Sequence, residues 1–297
     1  MTSTPDAGAL SPVTVYLDNR DYSVLSNAKQ LDDKPEVAQA LRTLEALIQA
    51  RKVVVLWSWA HALEMAPKDE ESMEPAIKRL NSMFSLSGGV SFMDMASIAR
   101  IESRFTEKPA NYDYALGPWI PSANILEPNL NPADYVARAA SRGLKPTALK
   151  SAVSANGAEL KDILTFVRDV SAGNRAAFRK ERDIDFARML FRVFTGESEI
   201  PAHAIGCHCA GGALRRICLS SAETDRELKE SDCADIWHSF YAPYVDVWSG
   251  DGNTVHIVRS VWPATTAVSG PFSNVVKAVV RKVDEHAQNS GGAGIDR

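Results

Sequence analysis

Carboxylates from four distant parts of the sequence have the clearest capacity for chemistry. They are Asp18, Glu64, Asp235 and Asp251. Two carboxylates about 4 Å apart repel each other by about 4 kcal/mol at an effective dielectric constant near 20, so a fold that gathers several of them needs a compensating cation. Oxygen-only ligands suit Mg²⁺ or Mn²⁺, which keep bound waters and contact phosphate oxygens. If folding brings these side chains together, they predict a divalent-metal centre that acts on phosphodiesters.

Each acid also has an ordinary structural explanation. Asp18 can cap a helix that begins at Asp21, and Asp251 can form a turn. Asp232, three residues before Asp235, favours the start of a helix. For any one residue alone the structural explanation is preferred, whereas the convergence of several acids favours the metal centre.

The elements around the first two acids alternate in type. Apolar runs that stop at polar residues predict buried strands, and apolar residues at helical spacing predict amphipathic helices. The pattern gives a strand at Val13–Leu17, a helix from Pro35 to about Arg51, a strand at Lys52–Leu56 and a helix after Ser58. Such alternation predicts a parallel sheet with crossover helices, whose ligand sites gather beyond the carboxyl ends of the strands. Asp18 follows the first strand, and Glu64 shares a helix face with His61.

The last third of the chain returns to this alternation. The predicted elements are a helix at Ser231–Tyr241, a strand at Tyr244–Trp248, a polar corner at Ser249–Asn253, a strand at Thr254–Val258 and a helix from Ser273 to about Gln288. Asp235 then lies in the first of these helices, and Asp251 follows a strand. Both acids are therefore expected at the same sheet edge as Asp18.

The middle of the chain differs in composition from the two ends, and this difference predicts an insertion. Prolines interleaved with aromatic residues from Pro109 to Pro132 disfavour regular structure, and helical spacing returns at about Gly157–Ala172 and Arg175–Phe194. The predicted organisation is a flexible start at 1–12, one discontinuous α/β domain at 13–105 and 202–288, a mostly helical insertion at 106–201 and a flexible tail at 289–297.

Composition and charge narrow the function classes. Of 297 residues, 45% are hydrophobic, which suits a buried core and argues against disorder. Lys plus Arg total 33 and Asp plus Glu total 37, so the net charge of −4 excludes a uniformly basic nucleic-acid coat. No apolar run is long enough to span a membrane, and the polar start Met1–Pro12 does not resemble a signal peptide. We therefore expect a cytoplasmic protein without a membrane partner.

Cysteine usage predicts reduced thiols. The four cysteines are too few and too clustered to form a disulfide framework for a chain of this length. The group His203, Cys207, His208 and Cys209 suggests zinc, but an adjacent Cys-His-Cys lacks the two-residue gap that lets paired ligands converge on one ion. Small apolar thiols on or beside a helix are the preferred interpretation.

Four segments together resemble the PIN-domain nucleases, and above all their larger bacterial PIN-like relatives. The segments are Val15–Asn19 (Val-Tyr-Leu-Asp-Asn), Val55–Glu64 (Val-Leu-Trp-Ser-Trp-Ala-His-Ala-Leu-Glu), Ser231–His238 (Ser-Asp-Cys-Ala-Asp-Ile-Trp-His) and Pro243–Asp251 (Pro-Tyr-Val-Asp-Val-Trp-Ser-Gly-Asp). The resemblance covers Val13–Phe105 and Ala202–Val258. It implies a Rossmann-like three-layer α/β/α fold with a central parallel sheet, and metal-dependent cleavage of single-stranded RNA or, in some members, of structured nucleic acid.

The resemblance also implies roles for individual residues. It makes Asp18 the first-strand metal ligand, Glu64 the helix carboxylate, Asp235 the aspartate of an Asp-x-x-His helix start and Asp251 the acid of a Ser-x-Asp corner, together holding one or two Mg²⁺ or Mn²⁺ ions. Asp232 and Asp246 are further candidate ligands. Asp246 can exchange roles with Asp251, because a carboxylate within the apolar run Val245–Trp248 would be costly without a partner or a metal.

Three auxiliary residues accompany these ligands in the resemblance. Ser249 takes the hydroxyl position of the corner, and Asn19 stands where relatives often have threonine. His238 lies three residues after Asp235 on the same helix face. It can orient that carboxylate or meet phosphate, and a packed structural histidine is the alternative.

The grip on a nucleic acid must come from basic side chains outside the acidic centre. Arg175, Arg179, Lys180 and Arg182 form the densest basic stretch of the sequence. They predict a clamp for the phosphate backbone. Intervening acids such as Glu181 and Asp183 favour the alternative of a solvated mixed-charge helix face.

The sequence therefore predicts a divalent-metal-dependent ribonuclease that leaves 5′-phosphate and 3′-hydroxyl ends, with DNA as the other candidate substrate. A toxin-like or defence-related role, an inhibitory partner protein and a homodimer are left open. The main alternative is a catalytically inactive PIN-like module that binds nucleic acid or protein. A phosphotransfer enzyme with Asp18 as nucleophile ranks last, because no later lysine and acid complete such a site.

Overall fold

The computed structural model describes residues 12–104 apart from 68, 70, 93 and 94, residues 165, 168 and 169, and residues 182–291. The sequence-based predictions for residues 1–11, the proline-rich segment, most of the insertion and the end of the tail lie outside the described residues. Among the described helices, none is long and apolar enough to cross a membrane.

The described part of the chain forms an α/β fold around a parallel sheet. The strands are β1 (Val13–Tyr16), β2 (Val53–Leu56), β3 (Val247–Ser249) and β4 (Thr266–Val268), in the spatial order β2-β1-β3-β4. All three strand pairs are parallel. The prediction of a parallel sheet is confirmed.

Helices connect the strands along the chain. In the first part they are α1 (Asn19–Leu25), α2 (Ala28–Asp33), α3 (Pro35–Gln49), α4 (Trp59–Met65), α5 (Met73–Ser87) and α6 (Met95–Ser103). In the second part they are α7 (Asp183–Thr195), α8 (Ile205–Thr224), α9 (Glu230–Tyr241), α10 (Gly252–Val261) and α11 (Phe272–Gly291), with a 3₁₀ turn at Ala242–Tyr244.

Each face of the sheet carries its own apolar core, because successive side chains of a strand point to opposite faces. Val15 of β1 packs with Val55, Val247 and residues of α3 and α11 on one face. Tyr16 packs on the other face, with Leu56, Trp248 and residues of α8, α9 and α10. Helices on both faces are compatible with a three-layer α/β/α arrangement.

The prediction of a strand at Thr254–Val258 is wrong, because this segment belongs to α10. Asp251 caps that helix through a hydrogen bond from the Thr254 backbone N–H to Asp251 Oδ1 at 2.7 Å. The buried residues Thr254, Val255, Ile257 and Val258 recur at helical spacing. The last strand is instead the short β4, and the strand expected from Tyr244 begins only at Val247, after a 3₁₀ turn that contains Pro243.

A buried acid at the end of α6 makes stability depend on pH. Glu102 is 3% exposed and accepts a hydrogen bond from the Tyr244 hydroxyl at 2.8 Å. Burial raises the pKa of Glu102 to about 8. The raised pKa means that the folded state favours the neutral acid. The stabilising contribution of Glu102 is therefore complete below its unfolded pKa, near 4.3, and is lost as the pH rises to about 8.

We expect Glu102→Gln to reduce the dependence of the free energy of unfolding on pH. The amide keeps the shape without the ionisation, so the free energy of unfolding of the variant rises by about 3–4 kcal/mol relative to that of the wild type between pH 5 and pH 8. Urea unfolding at both pH values measures the difference, and Glu45→Gln on the exposed face of α3 is the matched control. Parallel curves for wild type and Glu102→Gln would contradict the assignment.

Candidate functional site

The candidate site lies at the carboxyl edge of the sheet, between β1 and β3. The chain passes from β1 to β2 on one side, and β3 later pairs with the other side of β1. This reversal of direction is the point at which open parallel sheets bind ligands. Asp18 follows β1 and Asp251 follows β3, so both acids stand at the reversal.

Asp18 and Asp251 also begin helices at this edge. Asp18 caps α1, with its Oδ1 accepting from the Arg20 backbone N–H at 3.4 Å, and Asp251 caps α10. The helix after Asp18 begins at Asn19 rather than Asp21. A carboxylate offers about four acceptor positions, so capping uses only part of the capacity of each side chain.

The four acids that the sequence nominates interact electrostatically with one another. Burial raises the pKa of Asp235 to about 7, and repulsion from Asp251 and Glu64 adds to this rise. Burial also raises the pKa of Asp18, again with a contribution from Glu64. Glu64 thus interacts with both Asp18 and Asp235, and Asp251 interacts with Asp235. Asp18, Glu64, Asp235 and Asp251 are called the acid group.

Asp21 also lies at the carboxyl edge of the sheet, although it is not among the acids predicted from the sequence. Its side chain is 1% exposed, and its Oδ2 accepts from Ser249 Oγ at 2.6 Å and from the Asp18 backbone N–H at 3.1 Å. Burial raises the pKa of Asp21 to about 6. Ser249 thus contacts Asp21, and the two link the loops that carry Asp18 and Asp251. The available signal was a second aspartate three residues after Asp18, in the first turn of a helix.

His238 contacts Glu64, whereas its position in the sequence predicts contact with Asp235 or with phosphate. Its Nε2 lies 3.0 Å from Glu64 Oε2, and its Nδ1 lies 2.7 Å from the Tyr16 hydroxyl. The Glu64 carboxylate raises the pKa of His238 against the opposing effect of burial. Asp235 and Asp18 interact with the same ring at longer range.

The side-chain amide of Asn19 has no hydrogen-bond partner among the described residues. Its Oδ1 and Nδ2 are both buried and make no hydrogen bond to other described residues. An orphaned amide is costly, so its presence directly after Asp18 fits a polar ligand at this edge.

The two additional candidate ligands have partners of their own. Both oxygens of Asp232 accept from the Arg226 guanidinium at 3.0 Å, and one also accepts from the Lys229 backbone N–H at 2.6 Å. Asp246 precedes β3 and accepts from the Thr14 backbone N–H and hydroxyl, each at 2.8 Å. Asp246 therefore lies at the amino edge of the sheet, where parallel strands begin, whereas Asp251 lies at the carboxyl edge.

The cysteine and histidine cluster shows separate partners for its histidines. His203 Nε2 lies 2.8 Å from the Glu102 carbonyl oxygen, and His208 Nε2 lies 3.1 Å from the Pro201 carbonyl oxygen. Cys207 and Cys209 are buried free thiols, and burial raises the pKa of both. Among the described residues, no group of three or more His, Cys, Asp or Glu side chains is arranged to hold a metal ion, at this cluster or at the sheet edge.

The predicted clamp falls largely outside the described residues. Arg175, Arg179 and Lys180 are not described, and Arg182 lies 3.6 Å from Asp185 in an exposed ion pair. Two other arginines lie beside the acid group. Arg20 Nη2 is 3.4 Å from the Gly250 carbonyl oxygen and interacts with Asp18, while Arg226 interacts with Asp235.

Comparisons of this chain with protein-family models, with curated proteins and with solved structures found no match. The functional interpretation therefore depends on the site itself. That site offers several carboxylate oxygens, an unpartnered amide and two flanking guanidinium groups. By type, carboxylate oxygens suit a hard cation and guanidinium groups suit a phosphate.

Proposed function

We propose that the protein is a divalent-metal-dependent nuclease of the PIN-like type that hydrolyses phosphodiester bonds in RNA, with DNA as the other candidate substrate. One observation carries the proposal. Asp18 and Asp251 follow β1 and β3 at the reversal of the parallel sheet, and burial together with repulsion from neighbouring acids raises the pKa values of Asp18 and Asp235. A cation would offset this repulsion.

The donors suit Mg²⁺ or Mn²⁺ by type, and side-chain movement would have to gather them around the ion, because no three of the described acids are arranged to hold one. Asp18, Glu64, Asp235 and Asp251 would supply oxygen ligands, which these ions prefer, and the Asn19 amide would contact a bound water or phosphate. The chemistry that such ions supply is acidification of a water and neutralisation of charge on the phosphate. Hydrolysis in this arrangement would leave 5′-phosphate and 3′-hydroxyl ends.

The surrounding residues would keep these ligands in place. The Asp21 carboxylate holds the Asp18 backbone N–H, and Ser249 holds Asp21. Arg20 and Arg226 provide positive charge beside the acids, where a phosphate backbone would approach. Because Arg226 already pairs with Asp232, Arg20 is the more accessible of the two cations.

Cleavage of labelled single-stranded RNA tests the proposal. We expect cleavage with Mn²⁺, none with excess chelator, and a large loss in Asp18→Asn. Asp33→Asn, an exposed change on α2, is the matched control for contaminating ribonucleases. Activity that persists in both Asp18→Asn and Asp235→Asn would remove the proposal.

A second candidate function, an inactive module that binds nucleic acid or protein, is favoured by the structural roles of three acids. Asp18 and Asp251 cap helices, and Glu64 pairs with His238. Melting curves with Mn²⁺ discriminate the two functions. An ion at 100 times its dissociation constant stabilises the folded state by about 2.7 kcal/mol, whereas an inactive site gives almost no shift.

A further inference from the structure

A buried chain of polar groups runs from Glu64 into the sheet. Glu64 Oε2 lies 3.0 Å from His238 Nε2, and His238 Nδ1 lies 2.7 Å from the Tyr16 hydroxyl. The Tyr16 hydroxyl in turn lies 2.7 Å from Ser58 Oγ. These groups belong to α4, α9, β1 and the β2–α4 connection, so the chain ties together elements that are distant in sequence.

The donors and acceptors of this chain match at every step. A carboxylate only accepts, so the His238 Nε2 that faces Glu64 carries a proton. In the neutral ring, Nδ1 accepts from the Tyr16 hydroxyl, whereas in the charged ring Nδ1 donates to the Tyr16 oxygen. In both states the Ser58 hydroxyl can donate to the Tyr16 oxygen and His238 Nε2 donates to Glu64. The order of donation thus fixes the ring orientation that presents Nε2 to Glu64.

Packing holds the inner members of the chain in one place. Tyr16 and Ser58 are fully buried, and His238 is 7% exposed. The Tyr16 ring stacks on Tyr241 with centroids 5.7 Å apart and lies 4.4 Å from the His61 ring. The Glu64 side chain, by contrast, is 39% exposed on a helix of seven residues, so its own helix does little to fix the carboxylate.

A second set of hydrogen bonds connects helix α4 to Leu17, the residue before Asp18. His61 Nδ1 accepts from the Ser58 backbone N–H at 3.0 Å, and His61 Nε2 donates to the Leu17 carbonyl oxygen at 2.6 Å. The start of α4 is therefore anchored to the end of β1. Only the Glu64 carboxylate, one turn further along, still needs an orienting contact, and His238 supplies it.

We propose that His238 and Tyr16 are positioning residues that hold the Glu64 carboxylate in the acid group, beside Asp18 and Asp235. This inference rests on the proposed function, because it assigns the orientation of one ligand in that site. Removing the partner that orients a metal ligand typically costs about 10–100-fold in metal affinity or activity. Tyr16 is a buried, uncharged strand residue that acts on Glu64 through His238. Loss of its hydroxyl should therefore weaken metal affinity or activity about as much as loss of a residue that contacts the carboxylate directly.

Tyr16→Phe is the sharpest test, because it deletes one oxygen and keeps the ring. We expect kcat for single-stranded RNA to fall by about 10–100-fold with KM within about twofold. We also expect a higher Mn²⁺ concentration to be needed for half of the rise in melting temperature. Tyr22→Phe is the matched control, since the Tyr22 hydroxyl is equally buried but has no partner among the described residues.

A pair of His238 variants keeps the test decisive if Tyr16→Phe folds poorly. Gln at 238 keeps an amide donor for Glu64, so His238→Gln should recover part of the kcat and Mn²⁺ affinity that His238→Ala loses. Equal loss in Tyr16→Phe and Tyr22→Phe, or identical values in the two His238 variants, would overturn the positioning role. A wild type that neither cleaves RNA nor is stabilised by Mn²⁺ would instead overturn the proposed function.

Discussion

Asp235→Asn is expected to reduce RNA cleavage by about 10²–10³-fold, because it removes a negative ligand from the acid group at a cost of several kcal/mol in charge stabilisation. Burial raises the pKa of Asp235, and repulsion from Asp251 and Glu64 adds to this rise, so the charge of Asp235 is coupled to its neighbours. The measurement is kcat on single-stranded RNA with Mn²⁺, beside Asp33→Asn from the same purification.

The same substitution should stabilise the metal-free protein above pH 7. The pKa of Asp235 is raised to about 7 in the folded state, so its favourable contribution is present below its unfolded pKa, near 3.9, and is lost as the pH rises to 7. At pH 8 the wild type holds an ionised and repelled carboxylate, and the neutral amide avoids this cost. We expect a melting temperature a few degrees higher for Asp235→Asn at pH 8 in chelator. Activity within about threefold of the wild type, or a lower melting temperature, would contradict the role of Asp235.

Gly211→Ala is expected to destabilise the fold by about 3 kcal/mol, through overpacking between α7 and α8. A Cβ at Gly211 would lie 2.3 Å from the Ala187 backbone nitrogen and 2.5 Å from the Ala187 Cα. Backbone atoms cannot rotate away, so the two helices must separate. The separation would disturb the core beside Phe191 and Leu214, which packs against the site-bearing helix α9.

Urea unfolding measures this loss against Gly252→Ala. A Cβ at Gly252 would meet nothing within 4 Å, and the residue has no positive φ. Replacing a glycine by alanine at such a helix start stabilises by about 0.4–1 kcal/mol, because the unfolded chain loses freedom. Equal stability of the two variants would show that the α7–α8 contact tolerates an added methyl group.

The local pattern of the sequence predicts the strands and helices whose signals are strong. Val13–Tyr16 and Val53–Leu56 form strands as their apolar runs predict, and the helix predicted from Pro35 to about Arg51 is observed at Pro35–Gln49. The segment Thr254–Val258 was misassigned, because its apolar residues fit both periods and only the Asp251 cap decides for a helix. The three-residue β4 gives too short a pattern to predict.

The sequence suggests the acids of the candidate site, whereas it does not suggest the partners that the structure gives to Asp21 and Tyr16. Asp18, Glu64, Asp235 and Asp251 stand out as polar residues after apolar runs or on predicted helices. Asp21 and Tyr16 depend on partners 228 and 222 residues away, Ser249 and His238. No local sequence pattern predicts such contacts, since only the folded arrangement of strands and helices brings the partners together.

The position of β1 between β2 and β3 has a consequence for synthesis of the protein. Val15 of β1 pairs with Val247 of β3, which lies 232 positions later in the sequence. While the ribosome is still translating the middle of the chain, Asp18 and Glu64 have no Asp235 or Asp251 to join. The nascent polypeptide thus carries only two of the four residues of the acid group. It gains the other two once the last third of the chain has emerged and folded.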